Sequence, residues 1–317
     1  MHNPIYTRCR WLLGARILAL AIAMVAAAAC EASPPPEKPP PDQVLAGAGD
    51  IGACGAAGQR NAGATAALLD AIPGTVITLG DNAYEDGTVA EFAQCYDPTW
   101  GHLKARTRPA VGNHDYHTPG GAAYHAYFGA AAGEPGKGYY SYDVGAWHIV
   151  VINSNCPQVG GCEAGSAQGQ WLRADLAAHP ARCTLAYWHH PLFTSGGNGN
   201  SDFMRPIWQA LYEAGADVVL NGHDHDYERF ALQDPSGAPD PARGIREIVA
   251  GTGGGDLTWR WESNQPNSEV RNKDTHGVIK LTLHAGSYDW EFIPIAGETF
   301  TDSGSGSCHG ATPPKRG

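Results

Sequence analysis

The segment NGHDHDYER, residues 221–229, follows ADVVL, a short apolar run rich in β-branched residues. That run predicts a buried strand, and Gly222 allows the chain to turn at its end. His223 and His225 are two residues apart, and alternate side chains of an extended segment point to the same side. The two imidazoles can therefore converge on one metal ion or on two neighbouring ions, although such a pair also occurs as ordinary hydrogen-bonded side chains.

Four other segments end in the same way. Each is an apolar run that predicts a strand, and the polar residues that follow the four runs are Asp50, Asp81, Asn113 and His189. Tyr84 comes three residues after Asp81. The spacing of 31 residues between Asp50 and Asp81 fits repeated strand–helix units. Ligands of α/β sheets bind beyond the carboxyl ends of the strands, so we expect these side chains to meet there.

The chemistry of this set favours metal. Clustered carboxylates and imidazoles are costly to bury unless they are paired or hold a cation. Oxygen and imidazole donors without thiolate suit Fe, Zn, Mn or Mg. The set is too large for one small ion, and it predicts two ions roughly 3.5–4 Å apart that share a bridging carboxylate.

The composition limits the partners. The chain has 317 residues, a net charge of −11 and 43% hydrophobic residues, which is enough for the core of one large α/β domain or two small ones. This acidic balance argues against nucleic acid or an anionic membrane surface as the main partner. Phosphate chemistry would therefore need strong local positive charge.

The N-terminus has the pattern of an export signal. Residues 1–29 combine three arginines with the apolar run ILALAIAMVAAAA, which is typical of a signal peptide. The segment AAAC ending at Cys30 resembles a bacterial lipobox, so the alternatives are a lipid anchor at Cys30 and simple cleavage near Ala29. The Pro-rich residues 30–42 predict a linker. We expect an exported protein, either a periplasmic or cell-envelope lipoprotein or a secreted one.

Six cysteines follow Cys30, an even number that predicts up to three disulfides in an exported protein. The sequence does not fix their connectivity. We expect Cys156–Cys162 to close a small loop, and then Cys54–Cys95 and Cys183–Cys308.

The motifs GDIG, GDNAY, GNHD, HHP and GHDH, in this order, resemble the five motif blocks of the purple acid phosphatases, a branch of the calcineurin-like metallophosphoesterases. Most metallophosphoesterases have Asp-x-His in the first block, whereas this chain has Asp50-Ile51-Gly52 and gains Tyr84. The resemblance covers residues 46–229. It implies a four-layer α/β/β/α sandwich in a single domain, placed at residues 43–301, with a C-terminal tail at 302–317.

The resemblance also implies a role for each motif residue. Fe(III) would be held by Asp50, Asp81, Tyr84 and His225, and a divalent Zn, Fe or Mn ion by Asn113, His189 and His223, with Asp81 bridging. The implied reaction is hydrolysis of a small phosphate monoester by attack of metal-bound hydroxide, with His114 placed to donate a proton to the leaving alkoxide. Three neighbouring acids are expected to accept hydrogen bonds from ligand imidazoles: Asp115, Asp224 and Asp226.

The sequence departs from the family near the substrate. Many eukaryotic members have a histidine nine residues after the histidine of the fourth block, and here that position is Asn198. His190 either lines the pocket or is hydrogen-bonded elsewhere. The alternatives to a monoesterase are a phosphodiesterase or nucleotide hydrolase on the same two ions and, less readily, a metal-binding protein without turnover.

Overall fold

The computed structural model describes residues 41–258 and 260–310. The predicted signal peptide, Cys30 and the linker up to residue 40 lie outside the described residues. Within the described part, no helix is both long enough and apolar enough to cross a membrane.

The described chain alternates strands and helices in its first two thirds and is mainly strands thereafter. The strands are β1 Gln43–Ala48, β2 Thr75–Leu79, β3 Thr107–Ala110, β4 Tyr140–Val144, β5 Trp147–Val151, β6 Cys183–Tyr187, β7 Val218–Asn221, β8 Tyr227–Phe230, β9 Arg246–Ala250, β10 Ser268–Asn272, β11 Gly277–Leu283, β12 Ser287–Pro294 and β13 Asp302–Ser307. The helices are α1 Ala56–Asp70, α2 Val89–Glu91, α3 Ala122–Phe128, α4 Ala167–Ala178 and α5 Arg205–Ala214.

The strands form two mixed sheets. One has the order β13-β12-β11-β1-β2-β3, in which β1, β2 and β3 are parallel. The other has the order β10-β8-β9-β7-β6-β5-β4, in which β5, β6, β7 and β9 are parallel. Because parallel strands end at the same edge, the loops that follow β1, β2 and β3 lie side by side, and so do those that follow β6 and β7.

Side chains of the two sheets pack face to face, and helices cover the outer faces. Along β5, Trp147, Ile149 and Val151 are buried in the core between the sheets, whereas Val150 packs with α4 and α5 in a separate outer core. The other sheet packs against α1 and α3 through a third cluster that includes Val76. The α/β/β/α sandwich expected from the resemblance is confirmed.

Local sequence explains where the outer helices begin and end. The Ser166 side chain accepts a hydrogen bond from the backbone N–H of Gly169, at 3.1 Å, and so caps the first turn of α4. Helix α5 ends at Gly215, whose left-handed backbone conformation is one that glycine adopts without steric cost.

The structure differs from the sequence prediction at the C-terminus. The predicted tail begins at residue 302, but Asp302–Ser307 forms β13, which pairs antiparallel with β12 at the edge of the first sheet. The alternating glycines Gly304 and Gly306 make this possible, because a Cβ there would lie 2.3 Å from Trp290 and 2.4 Å from Tyr288. The ring edges of the neighbouring strand take the space of the missing side chains.

Three disulfides form in the described chain, and all three follow the expected pairing: Cys54–Cys95, Cys156–Cys162 and Cys183–Cys308. The last one links β6 to the residue after β13. It therefore connects an inner strand of the second sheet to the edge strand of the first.

Candidate metal centre

The two sheets bring the five predicted motif segments to one place. Asp50 and Asp81 follow β1 and β2 directly, Asn113 follows β3, and His189 and His223 follow β6 and β7. Both aspartates and His189 are almost completely buried. The predicted ligands therefore lie at the carboxyl ends of parallel strands from both sheets, and three of them, Asn113, His223 and His225, are only half-buried.

Asp81 lies between the two halves of this cluster. Its Oδ2 is 3.2 Å from Tyr84 Oη and 3.2 Å from His189 Nε2, so one carboxylate oxygen faces both predicted ion sites. Its other oxygen accepts a hydrogen bond from the backbone N–H of His114 at 2.9 Å. Asp81 therefore contacts a predicted ligand from each half of the cluster.

The first half of the cluster contains Asp50, Tyr84 and His225. Tyr84 Oη donates a hydrogen bond to Asp50 Oδ1 at 2.7 Å and is 3.1 Å from His225 Nε2. His225 Nε2 is itself 3.3 Å from Asp50 Oδ1. The phenol, imidazole and carboxylate predicted to hold one ion thus meet one another and Asp81.

The second half contains Asn113, His189 and His223. His189 Nε2 is 3.0 Å from Asn113 Oδ1 and 3.2 Å from His223 Nδ1. The structure therefore brings together all seven side chains that the sequence predicts as ligands, in the two groups that the resemblance implies.

Two backbone carbonyls orient the histidines. His189 Nδ1 donates to the carbonyl oxygen of Leu79 at 2.9 Å, and His225 Nδ1 donates to that of Asp256 at 2.6 Å. Each of these nitrogens must carry a proton, since a carbonyl can only accept. The Nε2 atom of each neutral ring is then left with a lone pair that points into the cluster.

This proton arrangement tests whether metal ions fit. His189 Nε2 faces the amide oxygen of Asn113, a carboxylate oxygen of Asp81 and a nitrogen of His223. In a neutral His189 the lone pair of Nε2 would face the oxygens of Asn113 and Asp81, which can only accept, so a positive charge at this point is favourable. The buried oxygen and nitrogen donors fit a pair of cations, and thiolate is absent from the set.

The pKa shifts have the same cause. Burial opposes ionisation of Asp50 and Asp81, but the neighbouring His225 and His189 hold both carboxyl pKa values below their usual range. Burial also lowers the imidazole pKa values, yet the same carboxylates raise the pKa of His189 and that of His225 to about 9. Cations bound here would replace these protons, so we expect metal binding to release protons.

The pKa values of Tyr84 and His223 shift in opposite directions. Burial, together with Asp50 and Asp81, raises the pKa of Tyr84 well above its ordinary value. Burial and the neighbouring His189 lower the pKa of His223 to about 4, so His223 is neutral and has a lone pair to offer at neutral pH. Tyr84 would need a strongly charged cation beside it to become a phenolate.

The glycines of the motifs make room for ligands from other strands. A Cβ on Gly80 would lie 2.5 Å from His189 Nδ1, one on Gly112 would lie 2.0 Å from Asp81 Oδ1, and one on Gly222 would lie 2.7 Å from Asp50 Oδ2. No side chain fits at such distances. The Gly-Asp, Gly-Asn and Gly-His pairs therefore combine a ligand with the space for its neighbour.

Backbone conformation also marks the site. In the described part of the chain, the non-glycine residues with positive φ are Asp50 at 61°, Asp81 at 49°, His223 at 72° and Asn267 at 66°. Three of these four are predicted ligands. Such conformations are unfavourable for L-residues and concentrate at functional sites.

His114 lies at the edge of the cluster rather than within it. Its Nε2 is 3.8 Å from Asp81 Oδ2, and its Nδ1 donates to the carbonyl oxygen of Glu85 at 2.5 Å. The ring packs edge-on against Tyr84, with centroids 4.6 Å apart. About a quarter of the side chain is exposed, so Nε2 can reach a substrate above the centre.

The prediction for the three neighbouring acids is wrong. Asp115 accepts hydrogen bonds from the backbone N–H groups of Gly112 and Asn82, and Asp224 accepts from the Thr194 hydroxyl and the backbone of Asn198. Neither accepts from a ligand imidazole, and the Asp226 carboxylate oxygens have no hydrogen-bond partner among the described residues. Backbone carbonyls hold the rings instead, and no side-chain pattern in the sequence signals a backbone acceptor.

Asn198 and His190 lie close to the centre but bind other groups. Asn198 is exposed, and its side-chain amide donates to the carbonyl oxygen of His223 at 2.8 Å. His190 Nδ1 is hydrogen-bonded to Ser154 Oγ at 2.8 Å, and its ring lies 4.3 Å from the ring of His223. His190 takes both of the roles left open for it, because it is hydrogen-bonded and also lines a cavity beside the cluster.

A cavity of about 470 Å³ opens directly over the cluster. Its floor includes Asp81, Asn113, His223 and His225, and His114 is in its wall. A small molecule can therefore reach the predicted ligands from solvent.

The family model for calcineurin-like phosphoesterases matches residues 44–227, and the chain belongs to that family. Within it, the chain is purple acid phosphatase-like. It is 33% identical over 187 residues to purple acid phosphatase 21 of Arabidopsis thaliana, and 37% identical over 154 residues to purple acid phosphatase 22 of the same plant. These matches cover 54% and 45% of this chain but only 41% and 34% of the relatives, so the chain spans less than half of their length.

The fold has a counterpart among solved structures. The purple acid phosphatase PPD1 from yellow lupin seeds superposes with a TM-score of 0.72 at 20% identity, over 87% of this chain and 55% of the lupin chain. The purple acid phosphatase type of site implies a dinuclear metal centre, and the converging donors are candidate ligands for it.

Proposed function

We propose that this protein hydrolyses phosphate monoesters at a centre of two metal ions. Asp50, Asp81, Tyr84 and His225 would hold Fe(III), and Asp81, Asn113, His189 and His223 would hold a divalent Zn, Fe or Mn ion. The observation that carries the proposal is the convergence of these seven side chains on the two sides of Asp81 Oδ2. When bound, the ions would activate a water molecule and neutralise charge on the phosphoryl group.

Tyr84 supports the assignment of a trivalent ion to the first half. Its hydroxyl is buried between two carboxylates, which strongly disfavour a second negative charge there. A phenolate at this position needs a hard cation of high charge. The proposed consequence is a visible charge-transfer colour, which a centre without the phenolate would lack.

His114 is proposed as the general acid. Its Nδ1 is committed to the Glu85 carbonyl, so the Nε2 atom that faces the cavity carries a proton only when the ring is an imidazolium. In that form, Nε2 can give its proton to the oxygen of the departing alcohol. We therefore propose that substrates with poor leaving groups depend most on His114.

We also propose that the protein is exported. The three disulfides of the described chain are typical of proteins that fold outside the reducing cytoplasm. The signal-peptide pattern and the lipobox-like Cys30 agree with that location, either as a lipoprotein or in secreted form. The mass of the mature N-terminus separates the two, because a lipidated Cys30 carries an added diacylglyceryl group.

Purified protein tests the function. We expect two metal ions per chain by elemental analysis, a visible absorption band, and phosphate release from p-nitrophenyl phosphate that exceeds turnover of bis-p-nitrophenyl phosphate. Faster hydrolysis of the diester would favour the phosphodiesterase alternative. Bound metal without hydrolysis of either ester would favour the alternative of a metal-binding protein without turnover.

Two variants sharpen this test. Tyr84→Phe removes only the hydroxyl and should abolish the visible band. Tyr127→Phe is the matched control, because its hydroxyl also donates to a carboxylate, that of Asp97, but on the exposed side of the protein. An unchanged spectrum in Tyr84→Phe would contradict the assignment of Fe(III) to this half.

A further inference from the structure

A second cavity adjoins the metal centre and has no role in the chemistry above. Its volume is about 670 Å³, within the range of small-molecule sites. It shares Asn113 with the cavity over the centre, and His190 forms part of its wall. A substrate whose phosphoryl group lies over the ions can therefore extend past Asn113 into this space.

The walls of this cavity come from rigid parts of the fold. One side includes Cys156, Pro157, Gln158 and Gly161, which belong to the small loop closed by the Cys156–Cys162 disulfide. The other side includes Tyr116, whose hydroxyl accepts a hydrogen bond from the Asn153 amide at 2.8 Å. Such a site is preformed, so a ligand need not order it on binding.

Phe203 lines the cavity and is unusual in being exposed. It is one of two large hydrophobic side chains with high exposure in the described part of the chain, at 50%, and the other is Val89 at 71%. The ring of Phe203 lies 5.8 Å from that of His190. An exposed aromatic ring beside an imidazole offers a stacking surface for another flat ring.

The charge of the cavity limits what it can hold. Among the described residues that line it, none is Lys or Arg, and Glu163 contributes an acid. The His117 imidazole in its wall is paired with Asp86 at 3.0 Å. A leaving group with a second phosphate or a carboxylate would find no cationic side chain here.

We propose that this cavity binds the leaving group of the substrate, and that the preferred substrates are phosphate monoesters of uncharged alcohols that carry a flat ring, such as aryl or nucleoside monophosphates. The inference rests on the proposed monoesterase function. Phe203 is the residue that sets this specificity, by stacking on the ring.

Steady-state kinetics with two alkyl esters test the proposal. Adenosine 5′-monophosphate has a flat ring and glycerol 3-phosphate has none, while both release a primary alcohol. We expect Phe203→Ala to lower kcat/KM for the nucleotide about tenfold, mainly through KM, because stacking of a base on an aromatic side chain contributes about this much. The value for glycerol 3-phosphate should change less than about twofold on the same reasoning.

Val89→Ala is the matched control, since it removes the other exposed hydrophobic side chain at a site that does not line the cavity. It should leave both substrates unaffected. Equal effects of Phe203→Ala on the two esters, or no effect on either, would overturn the leaving-group site while leaving the phosphatase intact. A wild-type protein inactive on both esters would refute the proposed function itself.

A gain-of-function variant tests the charge argument. Gln158 is exposed and lines the cavity, so Gln158→Lys introduces the missing cation without removing a buried contact. The intrinsic lability of the phosphoanhydride cancels when the two proteins are compared, so we expect Gln158→Lys to raise kcat/KM for adenosine diphosphate relative to that for adenosine monophosphate several-fold over the wild-type ratio. An unchanged ratio in Gln158→Lys would overturn this part of the proposal.

Discussion

The substitution Gly112→Ala should inactivate the metal centre although it replaces none of the predicted ligands. The new Cβ would lie 2.0 Å from Asp81 Oδ1 and 2.1 Å from the backbone nitrogen of Asp81. Unbonded carbon atoms do not approach oxygen closer than about 3.0 Å, so the ends of β2 and β3 must separate by roughly 1 Å. Asp81 would then leave the position in which it faces both ion sites.

The expected effect on activity is large and that on stability is modest. A displacement of about 1 Å at a catalytic group costs about a hundredfold in rate. Overpacking at a buried position costs about 1–3 kcal/mol, which a domain of ordinary stability survives. We therefore expect a folded Gly112→Ala protein with reduced metal content and a kcat/KM for p-nitrophenyl phosphate lowered by about two orders of magnitude.

Gly63→Ala is the matched control for this experiment. Gly63 lies within α1, and among the described residues nothing beyond its chain neighbours and the backbone of its own helix lies within 4 Å of the place where its Cβ would be. Alanine in a helix interior stabilises by about 0.5–1 kcal/mol relative to glycine, so this variant should melt slightly higher with unchanged activity. Metal content and kcat/KM within about twofold of wild type in a folded Gly112→Ala protein would refute the role given to Asp81.

Three further predictions concern single residues. His114→Ala should slow alkyl phosphates by about 10²–10⁴ and leave p-nitrophenyl phosphate far less affected, because only a poor leaving group needs the proton; a series of leaving groups measures this. The double variant Cys183→Ser, Cys308→Ser opens a loop with a sequence separation of 125 and should lower the free energy of unfolding by up to about 4.9 kcal/mol in chemical denaturation. Burial lowers the pKa of His148, but Asp175 and a second carboxylate more than offset this effect and raise that pKa. The ion pair therefore stabilises the fold below pH 6.5, and its contribution is lost as the pH rises through the raised pKa. The melting temperatures of wild type and His148→Gln should converge in alkaline solution.

The controls follow from the same contacts. His102→Ala removes an exposed histidine far from the cluster and should leave all leaving groups unaffected. Opening the Cys156–Cys162 disulfide, with a sequence separation of only 6, should lower the free energy of unfolding by about 2.2 kcal/mol, which is less than half the loss expected for Cys183–Cys308. Equal slowing across leaving groups, equal losses from the two disulfides, or a His148→Gln difference that grows with pH would each contradict the reasoning behind its prediction.

The ligand-bearing strand ends could be predicted because each is a local pattern. An apolar run followed by Gly and one polar residue gives both the strand and the place where its last side chain points, as at Leu79-Gly80-Asp81. The convergence of the ends follows from parallel pairing. The sequence supplied these elements without any knowledge of which strand neighbours which.

The edge strands were not predictable in this way. β10 and β13 are polar, and β13 reads as a Ser/Gly tail, since glycine and serine are poor strand formers. Asp302 anchors the start of β13 by accepting hydrogen bonds from Arg229, Tyr227 and Trp290. Those partners come from distant parts of the chain, and tertiary contacts therefore override local propensity there.

The prediction that acids next to the histidines accept their hydrogen bonds was wrong for a related reason. The sequence places Asp224 and Asp226 beside His223 and His225, which favours a pairing between neighbours. In the structure the imidazole of His225 instead reaches the carbonyl of Asp256, about 30 residues further along. Every residue has a carbonyl, so only the folded backbone identifies the one that accepts the proton.

The left-handed residues explain how the centre is held in place by the backbone. Asp50 and Asp81 adopt positive φ where β1 and β2 end, and each such residue costs of order 1–3 kcal/mol. The strand pairing continues through this strained segment, with Asp50 N–H bonded to the Gly80 carbonyl at 3.0 Å and Ile51 N–H to that of Asp81 at 3.0 Å. His223 N–H in turn donates to Asp50 Oδ2 at 2.9 Å, which links the two sheets. The predicted metal ligands are therefore held in place by hydrogen bonds of the main chain, and metal binding should add stability to a preformed site rather than create the fold.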